Sequence, residues 1–141
     1  MNSVDILREV VKVRTKDFYP TMLKWCEGHS FPEISPSVLP EYTLVICDNK
    51  GDHKTLLYSV CFYNTDSNLA WLGWELSNPD ASKEDKEGAL NELLKGAEKY
   101  AKSLGYQVVF TTSNTKPVVN SLKELNYKEG DTNVNHYLKI L

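Results

Sequence analysis

The sequence predicts one α/β domain over residues 1–141, built on a mixed, largely antiparallel sheet with the element order β-α-β-β-β-α-β-α-β. Three observations carry that reading. The length of 141 residues suits one domain of roughly 150. Apolar residues make up 41% and charged residues 25%, with 7 Gly and 6 Pro, a balance that excludes a disordered chain, a collagen-like repeat and a coiled coil. Segments of period-two alternation are interleaved with stripes of helical spacing, and no internal repeat or linker divides them.

Each element follows from its residues. Val10-Val11-Lys12-Val13-Arg14 alternates as a strand, with Thr15-Lys16-Asp17 as its exit. Asp17 is a plausible cap for a first helix, which carries Phe18, Met22, Trp25 and Cys26 at three- and four-residue spacing until Gly28 stops it. Pro32, Pro36 and Pro40 turn residues 31–40 into an ordered excursion or short helical turns, the expected wall of a cleft. Tyr42 to Cys47 and Thr55 to Tyr63, joined by the turn cluster 48–52, form a hairpin. Leu69 to Ser77 continues the meander, with Leu72, Trp74 and Leu76 on one face and Trp71, Gly73 and Glu75 on the other.

The strongest local signal is a helix from about Lys83 to Leu104. Ser82 is its expected cap, Gly105 its stop, and Leu90, Leu93, Leu94, Ala97 and Ala101 lie on its apolar stripe. Gln107 to Thr112 reads as a buried strand parallel to the one before that helix. A short helix from Pro117 ends at Asn126, and Asn133 to Leu141 alternates as a last strand. Helices are expected on both faces of the sheet.

The net charge of −3 is a poor match to general nucleic-acid binding. No apolar run approaches the ~18 residues of a membrane span, and the first residues lack the order of a secretion signal, so a cytoplasmic protein without membrane attachment is expected. Cys26, Cys47 and Cys61 read as reduced, buried thiols, and Cys26 with His29 is a lone pair of possible ligands, so no metal site is expected. Ser77 and Ser121 sit in no nucleophile elbow, and no phosphate loop of the Gly-x-x-x-x-Gly-Lys type is present.

The order strand, Asn78-Pro79, polar loop, long amphipathic helix, Leu104-Gly105-Tyr106, strand, Ser113-Asn114 and short helix resembles the GNAT superfamily of acetyl-CoA-dependent N-acyltransferases over nearly the whole chain. The resemblance implies that the two central parallel strands splay apart at their C-terminal ends. It also implies acetyl-CoA as the acyl donor, with Ser77 and Asn78 against the acyl-pantetheine. The backbone amides of Asp85, Lys86, Glu87, Gly88 and Ala89 would then lie at the pyrophosphate, where a helix N-terminus offers unsatisfied N–H groups and the positive end of its dipole. Asn114 matches an asparagine the family places near the pantetheine or the 3′-phosphate, while its local reading is a turn or cap residue.

Departures from the family pattern fall in the same places. Gly88 takes the position of the first motif glycine, Asp85 stands where the family has Arg or Gln, and Leu90 where it has Gly or Ala. Leu122 replaces the tyrosine that protonates the departing thiolate. Glu75 is the carboxylate inside a strand, and the resemblance implies a general base there, with burial raising its pKa toward that task. His136 and Tyr137 are weaker candidates. The expected activity is direct acetyl transfer to a primary amine of a small molecule or peptide. The alternative is a non-catalytic GNAT-like module that has lost its cofactor and pairs through its edge strands, as in a homodimer.

Overall fold

The structure, a computed structural model, describes residues 7–113 and 115–141. Its elements run β1 (Leu7–Arg14), α1 (Thr15–Gly28), a 3₁₀ turn (Pro36–Val38), β2 (Tyr42–Lys50), β3 (His53–Tyr63), β4 (Leu69–Ser77), α2 (Ala89–Ser103), β5 (Val108–Thr111) and α3 (Lys116–Glu124). The strands form one sheet in sequential order, antiparallel from β1 to β4 and parallel between β4 and β5. The expected parallel pair is therefore present, joined by α2 as a crossover.

The helices lie on both faces. On one side α2 and α3 cover a core of Leu44, Ile46, Val60, Phe62, Leu72, Leu93, Leu94 and Ala97. On the other, α1 packs Phe18, Met22, Trp25 and Cys26 against Val45, Cys47, Cys61 and Leu76. The middle of β2 is buried on both faces, so it reads as a nearly continuous apolar run. The proline-rich excursion is ordered: Ile34 is buried, Tyr19 Oη donates to the Ile34 carbonyl at 2.6 Å, and Tyr63 Oη donates to that of Val38 at 2.8 Å.

Four expectations are corrected. First, β1 starts at Leu7, three residues earlier than the alternation suggested, because Leu7, Arg8 and Glu9 continue the ladder opposite Asn49, Asp48 and Cys47. Second, α1 starts at Thr15 instead of after Asp17, which puts Pro20 beyond the first turn and inside the helix.

Third, α2 starts at Ala89. Ser82 Oγ does accept the Asp85 amide, at 3.0 Å, but it caps a turn. Gly88 has φ 73°, a left-handed conformation that a right-handed helix cannot pass through, and Ala89 N bonds to Lys86 O instead of the carbonyl four residues back. Fourth, Asn133 to Leu141 forms no strand: Val134, Tyr137, Leu138, Ile140 and Leu141 are 60% to 108% exposed. Both helix stops act as expected, since Gly105 (φ 91°) and Asn126 (φ 66°) are left-handed and are followed by 6→1 bonds, Tyr106 N to Ala101 O and Tyr127 N to Leu122 O.

Candidate active site

The site begins with an irregularity in β4. Between Ser59↔Leu76 and Cys61↔Gly73 the partner strand advances two residues while β4 advances three. The extra residue is a β-bulge, and Trp74 within it has φ 56°, a strained conformation for a bulky side chain. The bulge breaks the alternation expected of this strand. Leu72 joins the α2-side core while Leu76 joins the α1-side core, although the sequence pattern placed both on one face.

At the bulge the ladder between β4 and β5 ends, because β5 itself stops at Thr111. Their ladder runs from Leu69↔Val108 to Leu72↔Thr111 and stops, while β4 continues through Gly73 to Ser77. Glu75 reaches from this unpaired part of β4 back to the end of β5. Its Oε1 lies 2.8 Å from Thr111 Oγ1, which is also 2.9 Å from the Leu72 carbonyl oxygen. A threonine hydroxyl has one proton, so it cannot donate to both; the pair is satisfied together when Glu75 is protonated and donates to Oγ1. Burial pushes the Glu75 pKa up, against the lowering effect of the hydrogen bonds it accepts. Trp74 is fixed beside it, its Nε1–H donating to Tyr63 Oη at 2.8 Å.

The end of β4 is tied to the end of α1. His29 Nε2 lies 2.9 Å from the Ser77 carbonyl and 3.0 Å from Ser77 Oγ, and its ring stacks on Phe31. A Cβ on Gly28 would sit 2.5 Å from Pro79 Cγ, so glycine is what lets α1 and this turn approach. Asn78 is equally engaged: its amide donates to Leu57 O, its Nδ2 to Leu56 O at 2.8 Å, its Oδ1 accepts the Asp80 amide, and its carbonyl accepts Lys86 Nζ at 3.2 Å.

From there residues 79–88 carry the chain back across the sheet to β1. Arg8 on β1 anchors the start of α2, donating Nη1 to Glu87 O at 2.7 Å and Nη2 to Asp85 O at 2.9 Å while its Nε pairs with Asp48 at 2.8 Å. In a trans peptide the N–H points opposite the C=O, so fixing the Glu87 carbonyl aims the Gly88 amide away from Arg8. The amides of Asp85, Lys86, Glu87 and Ala89 are taken up within the loop, by Ser82 Oγ, Ser82 O, Glu84 O and Lys86 O. Helix geometry leaves those of Gly88, Leu90 and Asn91 without an intrahelical acceptor. Glu84, Asp85 and Glu87 are exposed around them.

The sequence-predicted residues are thus only partly brought together. Glu75, Ser77 and Asn78 lie along the end of β4, whereas Gly88 and Ala89 begin α2 beside Arg8 of β1, with β2 and β3 between. Asn114 lies outside the described residues. Leu122 packs against the α2-side core. Among the described residues no group of three His, Cys, Asp or Glu is placed to hold a metal ion, and no helix is long and apolar enough to cross a membrane. Thr111 and Arg8 were not singled out from the sequence, and His29 was weighed there only as a metal ligand beside Cys26. Only Arg8 carried a signal, as a cation in a β-rich segment with no local partner.

Comparison with solved structures places this geometry. A Trypanosoma brucei acetyltransferase superposes with a TM-score of 0.63 at 12% identity, covering 94% of this chain and 100% of that one. An aminoglycoside acetyltransferase from an uncultured soil metagenomic sample gives 0.61 at 10%, covering 95% and 96%. A GNAT-family acetyltransferase from Streptococcus pneumoniae gives 0.57 at 15%, covering 96% and 98%. No family model and no curated protein sequence matches the chain. The likeness is one of fold, and the chain has the fold of the GNAT acetyltransferases.

Proposed function

We propose that the protein is an N-acyltransferase that moves an acetyl group from acetyl-CoA to a primary amine by direct attack. The observation that carries the reading is the end of the β4–β5 ladder at Leu72↔Thr111, with a half-buried carboxylate of raised pKa on the unpaired part of β4 just past it. The donor chemistry of the α2 N-terminus fits an anionic carrier: Gly88, Leu90 and Asn91 offer amides, Arg8 fixes the orientation of the first, and Lys86 adds a cation nearby. Bound acetyl-CoA would supply the activated acyl group. Ser77 and Asn78 would line its approach, and Asn114 remains part of the proposed set.

Glu75 in its ionised form accepts a proton from the amine, directly or through water, and Thr111 then turns its hydroxyl proton to Leu72 O as Glu75 becomes the donor. Leu122 has no proton to give, so the departing thiolate takes one from solvent. The acceptor approaches from the α1 side, where Trp71 and Trp74 are exposed and their ring faces suit a cationic amine. Polyamines, aminoglycosides and lysine side chains share that chemistry, and two of the structural neighbours are aminoglycoside acetyltransferases.

A specific observation favours the second reading, a binding module without CoA: four of the loop amides that would meet a pyrophosphate are already satisfied. Titration calorimetry with CoA, followed by an acetyl-CoA turnover screen over amine classes on wild type and Glu75→Gln, separates the two. CoA binding, turnover and a loss of about 10²-fold or more in Glu75→Gln is the expected result. No heat at millimolar CoA supports the module, and turnover unchanged by Glu75→Gln at every pH overturns the assignment of the base.

A further inference from the structure

We propose that the solvent proton taken up by the departing thiolate is delivered through Ser77, with Ser77 Oγ–H as the catalytic acid and His29 as the positioning residue that orients and resupplies it. The inference rests on the acyltransferase reading and provides what Leu122 does not. Its starting point is the place of His29. In a trans peptide the C=O points opposite the N–H, and the Asn78 amide donates to Leu57 O on β3. The Ser77 carbonyl of that same peptide therefore points away from β3, to the edge of β4 that is unpaired after Leu72↔Thr111. His29 Nε2 lies 2.9 Å from this carbonyl oxygen. The imidazole thus stands at the unpaired edge, beside the segment that carries Glu75.

The same nitrogen lies 3.0 Å from Ser77 Oγ, and the two contacts together fix where the protons are. A carbonyl oxygen only accepts, so Nε2 carries a hydrogen and shares it between Ser77 O and Oγ. Oγ is then the acceptor in this pair, and its own hydrogen is turned away from His29. That excludes the usual reading of a serine beside a histidine, a nucleophile with its base, which needs a lone pair on Nε2. It leaves a hydroxyl that can give its proton and be resupplied at once. The other ring nitrogen, Nδ1, has no protein partner among the described residues. The half-buried ring stacks on Phe31 with centroids 5.1 Å apart, so it is held in place while one side stays in reach of water.

Acyl transfer needs two groups spaced as Glu75 and Ser77 are. They flank Leu76, which faces the α1-side core, so alternation puts both on the other side of β4, roughly 7 Å apart along the strand. The amine nitrogen and the sulfur are joined to one and the same carbon, so the base for the first and the acid for the second belong a few ångströms apart, one on each side of it. As the C–N bond forms, Glu75 holds the amine proton. Ser77 gives its Oγ–H proton to the sulfur that leaves with the C–S bonding pair, and Oγ takes the Nε2 proton of His29. Nδ1 takes a proton from water, and the ring ends as the Nδ1–H tautomer. One proton has gone to Glu75 and one has come from water, and exchange with solvent resets both residues.

Ser77→Ala deletes the hydroxyl and keeps the carbonyl that anchors His29, and His29→Gln keeps an N–H donor for that carbonyl but cannot pass a proton through. At saturating acetyl-CoA each should lower kcat by about 10²-fold, with the calorimetric affinity for CoA unchanged. A second readout needs no turnover. Nitrogen NMR of the free protein should find the His29 hydrogen on Nε2, and CoA should shift that signal where CoA lacking its sulfur does not, a difference that Ser77→Ala abolishes. Turnover at the wild-type rate in Ser77→Ala, a hydrogen on Nδ1 instead of Nε2, or equal shifts from the two ligands overturns the relay and leaves the acyltransferase reading standing. An acetyl group trapped on Ser77 and found by mass spectrometry overturns it in favour of a serine nucleophile. No heat with CoA on wild type removes the acyltransferase reading and the relay with it.

Discussion

The two faces of the sheet are closed to different degrees. Under α2 the core is sealed: Leu72, Leu93, Leu94 and Ala97 are fully buried, and Arg8 locks the start of the helix to β1. Under α1 the cover reaches Leu76 near the end of β4 but leaves Trp71, Trp74 and Phe110 at 38%, 42% and 47% exposure where the β4–β5 ladder ends. The sealed face holds the fold together. The open face exposes Trp74 of the bulge and the aromatic row, whereas Glu75 is half-buried against Thr111.

The largest expected effect sharpens this contrast directly. Leu93→Ala removes a fully buried side chain from the sealed face and should cost about 3 kcal/mol in urea denaturation. Trp74→Phe on the open face removes chiefly the hydrogen bond to Tyr63 Oη and should cost about 1 kcal/mol. Equal losses would mean that the α1 side is as tightly packed as the other.

Arg8→Ala comes next. It removes the donors held by Asp48, Asp85 and Glu87 and leaves the buried Asp48 without its cation, which should cost about 2 kcal/mol. Amide exchange across residues 82–88 should quicken with it. Unchanged exchange there would show that the loop holds its shape without Arg8.

The smallest effect is a pH dependence. A carboxyl whose folded pKa is raised above its ordinary 4.5 binds its proton more tightly in the folded state. Its contribution to stability is therefore present below the unfolded pKa and lost as pH rises through the folded one. Glu75→Gln, which cannot ionise, should melt higher than wild type at pH 8, and the gap should close by pH 4. Equal melting temperatures at both pH values would mean that ionised Glu75 is not penalised by its surroundings.

The sequence was most legible where periodicity and local stop signals agree. The Leu90-Leu93-Leu94-Ala97-Ala101 stripe ending at Gly105 marks α2, and the hairpin from Tyr42 to Tyr63 is framed by its turn residues. Glu75 stood out as a carboxylate within a strand, and it does lie just past the end of the β4–β5 ladder. Its partner Thr111 was not legible, because that contact links residues 36 apart and depends on where a ladder stops. The helix start was misplaced for a similar reason: Ser82 has the chemistry of a cap, and the left-handed Gly88 shows only in the backbone.

By itself the sequence determined the three helices and first five strands, their order and the apolar stripes of the helices, since each follows from the period of side chains along a few residues of backbone, whereas the last strand read from alternation at 133–141 did not form. Tertiary structure alone decided the bulge at Trp74, which reverses the facing of Leu76 relative to Leu72. It also decided the grip of Arg8 on a loop 77 and 79 residues away and the exposure of Val108 and Phe110 on β5, a strand read as buried from its sequence. Register, ladder length and the cover on a face are relations between segments distant in the chain, and no local period encodes them.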